Sequence, residues 1–232
     1  MASAKQISRV DKSGRAFAGS QRQIQTYVNQ RNTELRQHLR ERIDALNDDA
    51  VRLRWASPLV QDGYAEYRDG DFLDAVGLGA HTEDLAHFWP RGGPCWDALG
   101  RIDGGAWPSI LLVEAKSHAA EMHSTCGAES PASLAKIHAA LAATKQWLGV
   151  PLEADWLTDF YQLANRYAHL YFLTKVLVHD AWLVNIYFLN DPYKPTTREQ
   201  WSTALSEVHS RLRLPTEPLP NVVDLFLDAA ND

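Results

Sequence analysis

The order of elements in the sequence predicts an α/β domain with a mixed sheet. Two stretches, "SILLVEA" (109–115) and "AWLVNIYFL" (181–189), are apolar enough to be strands buried on both faces. A third, "WDALGRI" (96–102), is separated from the first by "DGGAWP", whose glycines and proline suit a hairpin turn. Helical patterns lie between these strands, so antiparallel and crossover connections must mix.

Residues 22–48 place Ile24, Val28, Leu35, Leu39, Ile43 and Leu46 on one face of one amphipathic helix, or of two in line. The stretch from 50 to 90 is harder to parse. "YAEYRDGDFLDAVGLG" suggests a short helix ended by glycine, and "HTEDLAHFW" a second, capped by Thr82 and stopped by Pro90. The loop "PRGGP" leads into the hairpin. Beyond it, a helix is expected from about Ser133 to Leu148, and another from about Ala154 through Val176. A helix capped by Thr196 or Thr197 follows, and "NVVDLFLDA" (221–229) closes the sheet. The expected organisation is an N-terminal helical extension over 1–54 and an α/β domain over 55–232.

With 45% hydrophobic and 22% charged residues in 232, the chain has the composition of an ordinary globular protein. No run reaches the ~18–20 apolar residues of a membrane span, and the N-terminus has no signal-peptide pattern. Two cysteines give no disulfide framework, so a cytoplasmic protein with no membrane partner is expected. The net charge of −6 is uneven: +5 over residues 1–54, −8 over 55–129 and −3 over 130–232. An acidic middle segment repels an anionic partner unless cations neutralise it.

The chemistry concentrates at "VEAKSH". Strand alternation puts Ile110, Leu112, Glu114 and Lys116 on one face. Folding the hairpin between Gly105 and Ala106 sets Asp97 opposite Glu114, with Cβ atoms roughly 4.5–5.5 Å apart. Two carboxylates that close repel and suit a hard cation. Asp97, Glu114 and the Ala115 carbonyl would then hold Mg²⁺ or Mn²⁺, with Lys116 orienting a water and stabilising charge on a phosphate oxygen. A Glu–Lys pair on a strand reaching solvent is the plain alternative.

"PCWDALGRI…ILLVEAKSH" resembles the PD-(D/E)XK, or restriction-endonuclease-like, nuclease superfamily. There an Asp on one core strand and an (Asp/Glu)-x-Lys on the next form the active site. The literal "PD" is absent, since Pro94 precedes Asp97 by three. Segments "EYRDGDFLDAVGLG", "FWPRGGPCWDAL", "LLVEAKSHAAEM" and "FYQLANRYAHLYFL" are similar to a bacterial family of unsettled function within that superfamily, over roughly residues 60–190. The resemblance implies a restriction-endonuclease-like core and a Mg²⁺-dependent phosphodiester hydrolase acting on nucleic acid, DNA being favoured. It also implies an auxiliary helix acid at Glu66, and a cleft-facing polar stripe in which Gln162 assists catalysis while Asn165 and Arg166 touch substrate. His118 could contact a phosphate, as could Arg91 with the amides of its glycine loop. Glu121 could support the site. Cys95, His118, His123 and Cys126 do not have zinc-site spacing. A catalytically inactive module of the same fold, binding nucleic acid or protein, is the alternative function. The basic N-terminal helix could pair two subunits.

Overall fold

A computed structural model, describing residues 9–48, 50–105 and 108–230, has five strands in one mixed sheet. They are β1 (Arg52–Ser57), β2 (Ala98–Asp103), β3 (Ser109–Lys116), β4 (Ala181–Leu189) and β5 (Val222–Asp228), in that spatial order. β1, β2 and β3 pair antiparallel, whereas β3, β4 and β5 run parallel. The hairpin register is the one expected, with Ala98 facing Val113 and Leu99 facing Leu112. Ala106 and Trp107 of its turn, like the first eight residues, lie outside the described part.

Alternation along the strands divides the core into two layers. Leu111, Val113, Ala115, Val184, Ile186 and Phe188 face α1 (Gly19–Asn29) and α2 (Asn32–Arg40). Ile110, Leu112, Leu183 and Tyr187 face the other helices: α3 (Asp69–Ala75), α4 (Thr82–Phe88), α5 (Pro131–Leu148), α6 (Tyr161–Tyr171) and α7 (Arg198–Leu212). Glu114 and Lys116 share the face of Ile110 and Leu112, so they project into this second layer.

All six apolar positions picked out between 24 and 46 are buried. They cover one face of the sheet instead of forming an appendage, and the expected division at 54/55 falls inside β1. The chain breaks between α1 and α2 where the Thr26 carbonyl accepts from both Gln30 and Arg31. α5 and α7 have the expected N-caps close by: Ser130 bonds the Ser133 amide, and Thr197 forms a capping box with Gln200. α6 starts seven residues later than expected. Asp155 accepts from the Leu157 and Thr158 amides in a local turn, and Phe160 is left-handed at φ 54°. The helix then continues as a π-helix over Phe172–Val176.

Because α2 is part of the core, Leu39→Ala should lower unfolding free energy by about 2–5 kcal/mol, the usual cost of a truncated buried leucine. Urea unfolding followed by circular dichroism measures it; a detached appendage would leave the main transition unmoved.

Candidate active site

β3 carries the site because its C-terminal end passes beneath α6. Glu114 is 4% exposed, and burying an unpaired carboxylate there would cost several kcal/mol. α6 supplies the counter-charge: Arg166 Nε donates to Glu114 Oε2 at 2.6 Å. Lys116 Nζ donates to Glu114 Oε1 and, at 3.0 Å, to Gln162 Oε1. Residues 162 and 166 lie one helical turn apart, so a single face of α6 holds both cations of the pair.

Asp97 enters from the residue before β2, on the face of Leu99 and Glu114. Its Oδ2 accepts from the Ala115 amide at 2.7 Å. An isolated antiparallel bridge between Tyr67 and Trp96 brings in a third carboxylate, because that register sets Glu66 against Asp97. Glu66 accepts from Gln21 Nε2 at 2.9 Å and from the Cys95 thiol at 3.8 Å. It lies on this extended segment before α3 and not on a helix, the position the resemblance implied.

The three carboxyl groups have different electrostatic fates. Burial, and then the charge of Glu114, push Asp97 from its usual 3.8 up to about 8, against the pull of Lys116. Burial also raises Glu66, with the Gln21 hydrogen bond opposing and the Glu114 charge adding. Burial acts the same way on Glu114, but Arg166 and Lys116 outweigh it and hold that carboxyl below its usual value. Lys116 is held above its usual value by Glu114 and Asp97 despite burial. Glu114 is therefore the settled anion, and Asp97 the acid left without a cation of its own.

A polar row extends across the sheet, with Glu114 beside Asn185 and Asn185 beside Asp224. Asn185 Nδ2 donates to Asp224 Oδ1 at 2.9 Å, while its buried Oδ1 has no partner among the described residues. Glu114, Lys116, Gln162, Asn185 and Tyr187 border a narrow pocket with room for about one water. The row was missed from the sequence, although an Asn amid "WLVNIYF" was its signal.

Several expectations need correcting. Arg166 is 2% exposed, and its guanidinium is spent on Glu114, Asn165 Oδ1 (2.9 Å) and the Cys95 carbonyl (2.9 Å). Buried in this way it positions Glu114 instead of lining an open cleft, and Asn165 supports it. The Gly92 and Gly93 amides beside Arg91 are already occupied by the Asp69 carboxylate, so only the Arg91 side chain is free for an anion. His118 stands 3.2 Å from Glu121, whose other oxygen accepts from the Ser117 amide. Among the described residues no three His, Cys, Asp or Glu side chains are arranged to hold a metal. Nor is any helix there long and apolar enough to cross a membrane.

Family models, curated proteins and solved structures yield no match to the chain. Geometry alone therefore carries the functional reading.

Two outcomes follow from the ionic centre. Arg166→Ala leaves Glu114 charged and half-compensated, and should cost about 3–5 kcal/mol in chemical unfolding. Asp97 binds a proton in the folded state that the unfolded chain releases at about 4. Its contribution to stability is therefore complete below that value and disappears as pH rises to about 8. Asp97→Asn keeps the shape and removes the titration. Its melting temperature should exceed that of the wild type above pH 8, and the gap should close toward pH 4.

Proposed function

We propose that the chain is a metal-dependent nuclease of the PD-(D/E)XK type, cleaving phosphodiester bonds in nucleic acid with DNA as the favoured substrate. The observation that carries this reading is Asp97 held beside Glu114 and Lys116 at the end of β3, with Glu66 on the adjoining bridged segment. Hard oxygen donors of this kind suit Mg²⁺ or Mn²⁺. Asp97 and Glu114 would hold the cation, Glu66 would assist, and the Ala115 carbonyl, on the strand side that bonds Asp97, would add an oxygen. A cation bound there supplies Lewis acidity toward water and toward a phosphate oxygen.

The chain's own residues do the rest. Asp97 releases its proton when positive charge arrives. Arg166 keeps Glu114 ionised and fixes its rotamer. Gln162 and Glu114 together aim the Lys116 ammonium, which orients the attacking water and balances charge developing on the phosphate. Glu114 bonds two cations, Glu66 accepts from Gln21, and Asp97 accepts from a backbone amide.

A second reading is favoured by the same occupancy. Both Glu114 oxygens are engaged and no three ligands converge among the described residues, as in a module of this fold that binds without cutting. Cleavage of plasmid, single-stranded DNA and RNA in Mg²⁺ and in Mn²⁺ decides between them. Wild type should cut, and Lys116→Gln and Glu114→Gln should each lose about 10²–10³-fold. Equal background in all three proteins, with no calorimetric heat of Mn²⁺ binding, leaves the non-catalytic reading.

A further inference from the structure

A groove of about 720 Å³ lies next to these carboxylates, and its charge is opposite to theirs. The link is the short paired segment before β2. The bridge that sets Glu66 against Asp97 also sets Arg68 against Cys95. Arg68 hydrogen-bonds the Cys95 sulfur, and the same thiol donates to Glu66. Two residues along from the carboxylates, the lining therefore gains its first cation.

Arg68, Arg91 and Lys136 border the groove, and all three are exposed. None forms an ion pair with a described residue. Lys136 Nζ donates to the Ala86 carbonyl at 2.6 Å, which pins the ammonium at the rim. Asp69 also borders the groove, but its carboxylate is turned onto the Gly92 and Gly93 amides. Three cations against the two carboxylates of Asp69 and Asp71 leave the lining a net +1. A net positive lining, completed by Lys136 from α5, beside a segment carrying −8 is what an anionic ligand would meet on approach.

We propose that this groove seats the phosphate backbone of single-stranded nucleic acid flanking the scissile phosphodiester. The assignment rests on the nuclease reading above. A groove of this volume encloses a body the size of a drug-like ligand, which suits a short length of single strand and not the width of a duplex. Separated cations that track a backbone are the usual basis of sequence-independent strand binding.

The test measures binding separately from cutting. Fluorescence anisotropy of an end-labelled single-stranded DNA oligonucleotide, in EDTA and across a salt series, compares wild type with the triple variant Arg68→Gln, Arg91→Gln, Lys136→Gln. Arg42→Gln, an exposed arginine just after α2 on the opposite face of the sheet, is the control. Losing three phosphate contacts should weaken binding at least ~10-fold in low salt and flatten the log–log salt slope by about 2, with the control unchanged. Equal affinity and slope in wild type and triple variant overturn the proposal, as does tighter binding of a duplex of the same length. The two readings fail separately. A wild type that binds through these three side chains but cuts nothing in Mg²⁺ or Mn²⁺ retains the groove and loses the nuclease. A triple variant that cuts with unchanged KM retains the nuclease and loses the groove.

Discussion

Glu114 is a carboxylate placed inside a sheet–helix interface, and much of the surrounding structure follows from having to compensate it. An isolated buried carboxylate would take up a proton; this one stays charged because Arg166 and Lys116 reach it from α6 and from its own strand. That requirement fixes the rotation of α6, since Gln162 and Arg166 must both face β3. Arg166 also donates to the Cys95 carbonyl, so the same side chain ties the helix to the loop that delivers Asp97. Through the Tyr67–Trp96 bridge that loop positions Glu66 and Arg68. One ionic centre thus joins β3, α6 and the segments leading into α3 and β2.

The cations there hydrogen-bond Glu114 and no other carboxylate, which leaves the neighbouring carboxyl groups under-compensated among the described residues. Asp97 and Glu114 are close enough for each to affect the other, yet their acidities move in opposite directions. Such a pair divides its roles by environment: one member is a fixed anion, the other an acid that ionises when further positive charge comes near. His169, beneath the same loop, adds no charge, because burial lowers it to about 3 and it donates neutrally to the Asn165 carbonyl.

What the sequence disclosed depended on how local the cause was. The β3 and β4 runs, the Thr197 cap and the hairpin register rest on neighbours in the chain or on strict alternation, and each was legible. Asp97 opposite Glu114 followed from that register. β1 was not seen: "RLRW" does alternate, but it is short, charged and lies at the sheet edge with a bulge after Trp55. The start of α6 was misplaced because Phe160 adopts a left-handed conformation that no propensity anticipates. Arg166 was read as facing substrate because an arginine in a helix says nothing of the buried carboxylate 52 residues earlier that will claim it. The role of Gln21 beside Glu66, across 45 residues, was invisible for the same reason.

Stability alone does not account for these side chains. Replacing a buried ion pair or triad by apolar residues of similar volume is often neutral, or stabilising by about 1–4 kcal/mol, so a core needs no Glu114, Lys116 and Arg166 to hold together. Asp97 argues more sharply still. Among the described residues its hydrogen bond comes from the Ala115 amide, a partner that an asparagine oxygen would serve equally well. The negative charge therefore adds nothing to the packing, and above pH 8 it works against folding. A group that by itself costs stability is compensated when something positive binds beside it. On that ground a cation-binding centre explains Asp97 better than a purely structural polar cluster does.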